Sequence, residues 1–153
     1  MTCQMPERIE YEGQSLTMYS EPLQDKLPRT ARYGEHRDAP DVPYPFEVSC
    51  SALWRGYVGH WRIEDDRLYL VEIVAQTPTG EDASIRTLFP NVEGAVFANW
   101  YTGDLSIERG QIIGRVDGFY LNVYEESVTL KVKSGVVVRK RVRRNQVPKE
   151  SDW

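Results

Sequence analysis

Hydrophobic and polar residues alternate in short runs along most of this chain, and turn-forming residues separate the runs. The run RIEYEGQSLTM at residues 8–18 alternates on both sides of Gly13, and Gly118 and Gly135 each separate another pair of such runs. Alternation with a period of two predicts β-strands, and glycine readily adopts the positive φ that a tight hairpin turn requires. The pattern therefore predicts a series of β-hairpins.

Residues 51–76 hold the most apolar of these hairpins. We predict a strand over 51–63, a turn over 64–67 and a second strand over 68–76. In the second strand, LYLVEIVA is apolar at nearly every position, which predicts a central strand that is covered on both faces. A further strand is expected over 95–107, with a kink at Gly103.

The last hairpin has the clearest alternation in the sequence. Its first strand places Val128, Leu130 and Val132 on one face. Its second strand returns with Val136, Val138 and Val142, and these are expected to share that apolar face. Arginines 139, 141 and 143 then face the other way.

The rest of the chain contains little regular structure. Residues 21–47 form a long, proline-rich loop with one helical turn expected in PLQDKL, and a second helical turn is expected before Pro90. A sustained apolar period of 3.6 is absent from the sequence. The fold class is therefore mainly β: a single-domain antiparallel β-barrel or two-sheet β-sandwich built from hairpins, with one or two short helical turns.

Length and charge narrow the possible functions. The 153 residues predict a single domain over 1–153, with 1–7 and 145–153 frayed. A net charge of -4 disfavours general binding to nucleic acid or to anionic membranes. The N-terminus resembles no secretion signal, which predicts a cytoplasmic protein with free thiols at Cys3 and Cys50, the latter buried.

An aromatic cluster on the predicted 51–63 strand is the main candidate site. Alternation places Leu53, Arg55, Tyr57, Gly59, Trp61 and Ile63 on one inward face. An inward arginine needs a partner, and Glu72 on the next strand is the expected one. The favoured interpretation is a core in which an Arg55–Glu72 ion pair fixes the strand register.

The alternative interpretation is a binding pocket, since binding sites are mostly apolar with a few directed polar groups. Its aromatic lining would be Trp54, Tyr57, Trp61, Trp100 and Tyr101, and its polar groups Arg55, His60, Glu72 and Asp104. His60 could act there as a general base, although a single histidine is more often an ordinary strand residue.

Motifs for catalysis, metals and cofactors are absent from the sequence. It contains no G-x-S-x-G, no phosphate-binding glycine loop and no zinc-ligand spacing among two histidines and two cysteines. We therefore predict no catalytic residue, no metal and no cofactor. The basic run at 139–144 could contact phosphates or an acidic partner, but it is more typical of the solvent face of an edge strand.

The order of several short motifs resembles a family of small bacterial proteins to which no activity is assigned. These motifs are W-R-G-Y-x-G-x-W-x-I and L-Y-L-V within 54–71, L-F-P at 88–90, V-F-A-x-W-x-[ST]-G at 96–103, and Y-E at 124–125. The resemblance extends over residues 8–142 and implies a bacterial, cytosolic, single-domain protein. The chain departs from the family pattern at Leu53, where relatives have cysteine, and at Asn122, where they have serine.

Size and charge together favour a non-catalytic protein-interaction module that offers an acidic, aromatic-bearing surface to another macromolecule. Small acidic proteins of this kind include immunity proteins that neutralise a toxin, for which charge complementarity makes binding fast. The alternative is a small-molecule-binding β-barrel or enzyme that uses the aromatic pocket. Nucleic acid is a less favoured partner, and a homodimer through an open strand edge is a further possibility.

Overall fold

The computed structural model describes residues 4–27, 44–48, 52–116 and 121–146. It confirms the mainly β class, with 55% strand and 8% helix. Both expected helical turns are present, as a 3₁₀ turn over Pro22–Lys26 and a short helix, α1, over Ile85–Leu88. The strands are β1 Glu7–Tyr11, β2 Gln14–Met18, β3 Tyr57–Glu64, β4 Arg67–Ala75, β5 Val96–Phe97, β6 Gly103–Val116, β7 Leu121–Lys133 and β8 Val136–Arg144.

The eight strands belong to one hydrogen-bonded sheet, and seven of them form a ring. The ring runs β3-β1-β2-β6-β7-β8-β4 and closes through the β3–β4 pairing, while β5 is attached to β4. The β1–β3 pairing is parallel, and the other pairings are antiparallel. Two joins are short: β2 and β6 share two residue pairs, and β4 and β8 share one.

Tight turns connect the hairpins where the sequence predicts them. The φ angles are +50° and +77° at Glu12 and Gly13, and +48° and +84° at Ser134 and Gly135. Two successive positive φ values are typical of a type I′ turn, whose twist matches that of paired strands. The turn expected at Asp117-Gly118 lies outside the described residues, although β6 and β7 pair on either side of it.

The core lies inside the ring, and the inward face predicted for β3 is confirmed. Tyr57, Gly59 and Trp61 are buried there, as period-two geometry requires. The other strands contribute the aliphatic residues that surround them. Among these fully buried side chains are Ile9, Met18, Leu68, Leu70, Leu105, Ile107, Val128, Leu130 and Val132.

Two predicted strands begin or divide differently in the structure. The first begins at Tyr57, because Gly56 adopts a φ of +76° and its N–H donates to the Leu53 carbonyl in a turn. A Cβ at Gly56 would lie 2.9 Å from the Glu47 carbonyl oxygen, so this turn also packs closely against the backbone of Glu47. The strand expected over 95–107 is interrupted by residues 98–102 and becomes β5 and β6.

The prediction that both faces of β4 are covered is wrong. Val71 is 37% exposed and Val74 is 48% exposed. The register passes from the pair His60–Glu72 to the pair Trp61–Leu70, so Val71 is the extra residue of a β-bulge. The bulge turns Val71 and Glu72 outward together. The strand is nevertheless central in the sheet, since it pairs with β3 on one edge and with β5 and β8 on the other.

The apolar face expected for β8 is only partly present: Val142 pairs with Val128 and the three arginines face the other way, as predicted, but Val136 pairs with Lys133. Val136, Val138 and Val142 are all exposed, whereas Val137 packs against the core. The register shifts between Lys131 and Val132, which inserts an extra residue into β8. The insertion interrupts the simple alternation that the sequence shows.

Fraying over residues 1–7 is contradicted at Glu7, which begins β1 and has a fully buried side chain. Asn145 is likewise held in place, because its side-chain amide donates to the Tyr124 carbonyl and its backbone N–H donates to the Glu125 carbonyl. Cys3 and Cys50 lie outside the described residues.

Gly135, in the turn between β7 and β8, provides a test of how closely this turn packs against the backbone of Ala98. Gly135 has φ +84° and a Cβ there would lie 2.7 Å from the Ala98 carbonyl oxygen; Gly80 has φ +87° and open space around it. We expect Gly80→Ala to lower the free energy of unfolding by about 1–2 kcal/mol through backbone strain. Gly135→Ala should cost at least ~1 kcal/mol more, because the added carbon clashes with backbone. Equal losses in urea denaturation would contradict this packing.

Candidate functional site

The predicted aromatic cluster divides between the core and separate surface positions. Arg55, Tyr57 and Trp61 are buried, with Arg55 only 2% exposed. These three residues lie together, as the sequence predicts, and they are core residues rather than the lining of an open pocket. Their arrangement supports the interpretation of this cluster as core packing.

The partner of Arg55 is Glu7 of β1, which corrects the expected pairing with Glu72. Arg55 Nη2 lies 2.7 Å from Glu7 Oε2, and both side chains are shielded from solvent. Glu72 is exposed on the outer face of β4, opposite His60. The sequence could not reveal the true partner, because a parallel β1–β3 pairing brings together residues 48 positions apart.

Three donors surround the Glu7 carboxylate. Besides Arg55, the Gly59 backbone N–H donates to Oε2 at 2.7 Å and Trp61 Nε1 donates to Oε1 at 3.1 Å. Gly59 is essential to this contact, since a Cβ there would lie 2.5 Å from Glu7 Oε1. A buried carboxylate that accepts several hydrogen bonds and faces a guanidinium is compensated for its lost hydration.

The other side of the Arg55 guanidinium is less fully bonded. Its Nε and Nη1 atoms have no hydrogen-bond partner in the described part of the chain, and Nη1 lies 3.6 Å from a Glu21 carboxylate oxygen. The guanidinium also lies 5.3 Å from the Tyr57 ring centre, within the range of a cation–π contact. The Tyr57 hydroxyl accepts a hydrogen bond from Gln24 at 3.0 Å, which joins the 3₁₀ turn to the cluster.

Burial shifts the pKa values in this cluster. It raises the pKa of Glu7, while the Arg55 charge and the donors from Gly59 and Trp61 lower it in part. Burial also raises the pKa of Tyr57, and the nearby Glu7 charge adds to that rise. The pair is therefore costly to bury and costly to break.

The remaining candidates from the sequence do not line one pocket. Trp100 Nε1 donates to the Pro22 carbonyl at 2.8 Å, and its ring stacks on Phe89. The backbone N–H of Trp54 donates to Gln4. Tyr101 donates to the Asp104 carbonyl at 2.7 Å, and the Asp104 side chain is exposed on β6.

His60 and Glu72 are cross-strand partners on the outer side of the sheet, next to Trp61. They line a shallow depression of about 310 Å³ on the outer face of β1, β3 and β4. The described residues therefore do not bring the nine candidates together.

A second candidate site lies on the outer side of β6, β7 and β8. Lys131 pairs with Arg139, Thr129 with Arg141, and Ser127 with Arg143, so these three of the four arginines of β8 form a row beside β7. We call Lys131, Arg139, Arg141 and Arg143 the basic face. Two adjoining grooves of about 470 and 420 Å³ extend along it and reach Ser106, Glu108 and Asp104 on β6.

The charges of the basic face are mostly uncompensated. Within the described residues, Lys131, Arg139 and Arg141 form no salt bridge. Arg143 Nε donates to the Asn145 side-chain oxygen at 3.2 Å. The Ser127 hydroxyl donates to the nearby Glu108 carboxylate at 2.9 Å. Burial raises the pKa of Glu108, which that hydrogen bond and the Arg143 charge partly lower.

The basic run at 139–144 therefore does not form one surface. Lys140 points to the opposite face, where its Nζ lies 2.9 Å from Glu12 and 5.5 Å from the Tyr11 ring centre. Glu12 also accepts a hydrogen bond from Arg109 at 3.2 Å. The alternation in the sequence predicts the common side of the three arginines, but it does not show that Lys140 forms an ion pair with Glu12.

The edge of β8 beside the basic face is open in the described structure. β8 pairs with β4 only at Val136, and from Val138 to Arg144 its only described partner is β7. An unpaired edge presents backbone donors and acceptors to a further strand.

Comparisons with known proteins returned no match to a family model, a curated protein or a solved structure. The resemblance to a bacterial family therefore stays a prediction. No helix among the described residues is long and apolar enough to cross a membrane. The described residues also contain no group of three or more His, Cys, Asp or Glu that could hold a metal ion.

The Glu7–Arg55 pair gives a quantitative test of the buried cluster. Arg55→Met leaves a buried, uncompensated carboxylate and should lower the free energy of unfolding by about 3–5 kcal/mol. Adding Glu7→Gln should recover at least ~1 kcal/mol relative to the sum of the single losses. Arg86→Met, which removes an exposed partner of Glu93, is the control and should cost less than ~1 kcal/mol. Additive losses in urea denaturation would disprove the coupling.

The loss of stability caused by Arg55→Met is also predicted to depend on pH. Burial raises the pKa of Glu7 above 4.5, so the folded protein binds the Glu7 proton more tightly than the unfolded chain does. The contribution of Glu7 protonation to the free energy of unfolding therefore falls as the pH rises from 4.5 through the folded pKa. Without Arg55 that pKa rises further, so protonation relieves the buried charge over a wider range. The loss caused by Arg55→Met should therefore be smaller near pH 5 than near pH 8. A loss that grows on acidification would contradict the assignment.

Proposed function

We propose that this protein is a non-catalytic interaction module that binds an acidic segment of another protein through the basic face. The observation that carries the proposal is the row of outward arginines on an open strand, with Lys131 beside it and few described counter-charges. Like charges held side by side repel, so an anionic partner stabilises them more than it would an isolated cation.

The charge distribution also supports fast and oriented binding. The whole chain has a net charge of -4, so the positive basic face stands out from an acidic molecule. A local field opposite to the overall charge directs an acidic partner to one surface and repels it elsewhere. This electrostatic arrangement supports oriented binding of an acidic partner.

A protein partner is favoured over a nucleic acid. The described basic face carries no aromatic side chain on which a base could stack, and Asp104 and Glu108 border its grooves. Hydroxyl groups of Ser106, Ser127 and Thr129 instead supply neutral hydrogen-bonding groups along the grooves.

Two narrower expectations from the sequence receive less support. An immunity-type inhibitor that neutralises a toxin's basic surface would bind through an acidic surface, whereas the basic face would bind an acidic one. A small-molecule pocket would need the aromatic cluster to be open, whereas Tyr57 and Trp61 are buried. A cytoplasmic location stays a prediction.

Poly-L-glutamate labelled with a fluorophore tests the proposal, with anisotropy as the readout. The wild-type protein should bind it, and the affinity should fall between 50 and 200 mM salt. Arg139→Gln combined with Arg141→Gln should weaken binding about three- to tenfold, since two cross-strand charge contacts are lost. The control is Arg62→Gln with Arg86→Gln, which removes the same charge from surface positions outside the basic face. Equal binding by both double variants would refute the basic face as the site.

A further inference from the structure

The open part of β8 has a geometry that fits an added strand. Val138–Arg144 extends for seven residues along one edge, and in the described structure its other edge is occupied by β7. A strand that joins a sheet edge lies about 4.8 Å away and forms backbone hydrogen bonds that do not depend on side-chain identity. Specificity then comes from the side chains that face each other across the new pair.

The arginine row sets the chemistry of one face of such a strand. Arg139, Arg141 and Arg143 occur at every second position, so their Cα atoms are spaced about 6.8 Å apart along the strand. Alternate residues of an added strand have the same spacing and stand directly opposite. Acidic side chains at every second position would therefore each meet one arginine.

The other face of β8 requires different residues. Lys140 is already paired with Glu12, so it does not call for an acidic partner. Val142 pairs with Val128, and its side chain is 41% exposed. An apolar side chain beside Val142 would cover this exposed surface. The favoured segment thus alternates acidic and apolar residues.

A second copy of this chain fits the edge poorly. Pairing two β8 edges would bring two arginine rows together on the same face, and like charges directly opposite each other destabilise a sheet. The same row keeps an exposed edge from self-association, a common role of cationic side chains at sheet edges. Charge complementarity therefore selects an acidic partner strand over a homodimer.

We propose that the partner is an extended segment with alternating acidic and apolar residues, and that it adds to the sheet as a strand beside Val138–Arg144. This inference rests on the function proposed above and specifies how the basic face is used. The acidic residues contact Arg139, Arg141 and Arg143, and the backbone of the segment bonds to the open edge. The ring thereby gains one strand without changing its existing pairings.

The probe is a labelled peptide, Glu-Val-Glu-Val-Glu-Val-Glu, compared with two N-methylated forms. One form carries N-methyl groups on its internal glutamates and the other on its valines. Alternate backbone N–H groups of a strand point to opposite edges, so only one form blocks the edge that faces β8. We expect one form to bind at least about tenfold more weakly than the parent peptide and the other within about threefold.

Hydrogen exchange on the full-length protein provides the second readout. Saturating peptide should slow the exchange of alternate amides within 138–144, because they become donors to the added strand. Arg141→Gln should weaken peptide binding about threefold, and Arg62→Gln, on β3, should leave it unchanged. Unchanged exchange over 138–144 on peptide binding would overturn the inference.

The outcomes separate this inference from the proposed function. If both N-methylated peptides bind as well as the parent, strand addition is wrong while the poly-L-glutamate result still supports an acidic partner. If neither poly-L-glutamate nor the peptide binds, both proposals fail. Displacement of the peptide by single-stranded oligo-dT of equal charge would reassign the face to nucleic acid. A concentration-dependent dimer that Arg141→Gln stabilises would assign the edge to a second copy.

Discussion

The Glu7 carboxylate is the contact on which the closed ring depends most. It lies on β1 and accepts hydrogen bonds from Arg55, Gly59 and Trp61, which precede or belong to β3. The β1–β3 pairing is the one parallel join of the described sheet and is defined by three residue pairs. The side-chain network therefore adds directional bonds where the backbone ladder is short, and it fixes how β1 sits against β3.

The same network explains why a costly charge pair lies among aromatic residues. A buried ion pair contributes little net stability compared with apolar packing, but only one arrangement of the strands satisfies it. A shift of β1 by one residue would move Glu7 to the outer face and leave Arg55 without its carboxylate. The pair thus specifies one register, and Gly59 leaves room for it.

Charge is distributed differently on the two sides of β6–β8. On the inner side, Glu12 holds both Arg109 and Lys140, so the positive charges there are compensated across the end of the β1–β2 hairpin. On the outer side, the arginine row has few described counter-charges. β8 thus uses Lys140 for an ion pair on the inner side and directs Arg139, Arg141 and Arg143 outward, where they are available to a partner.

The sequence by itself determined the mainly β class, both helical turns, the hairpins at Gly13 and Gly135, and the inward face of β3, because these depend on local periodicity and turn chemistry. The tertiary structure alone decided the partner of Arg55, the exposed valines of β4 and β8, and the open edge beside the basic face. Bulges at Val71 and in β8 change which side a residue faces without any signal in the alternation. The parallel β1–β3 pairing joins distant segments, and such long-range contacts are selected by packing of the whole ring.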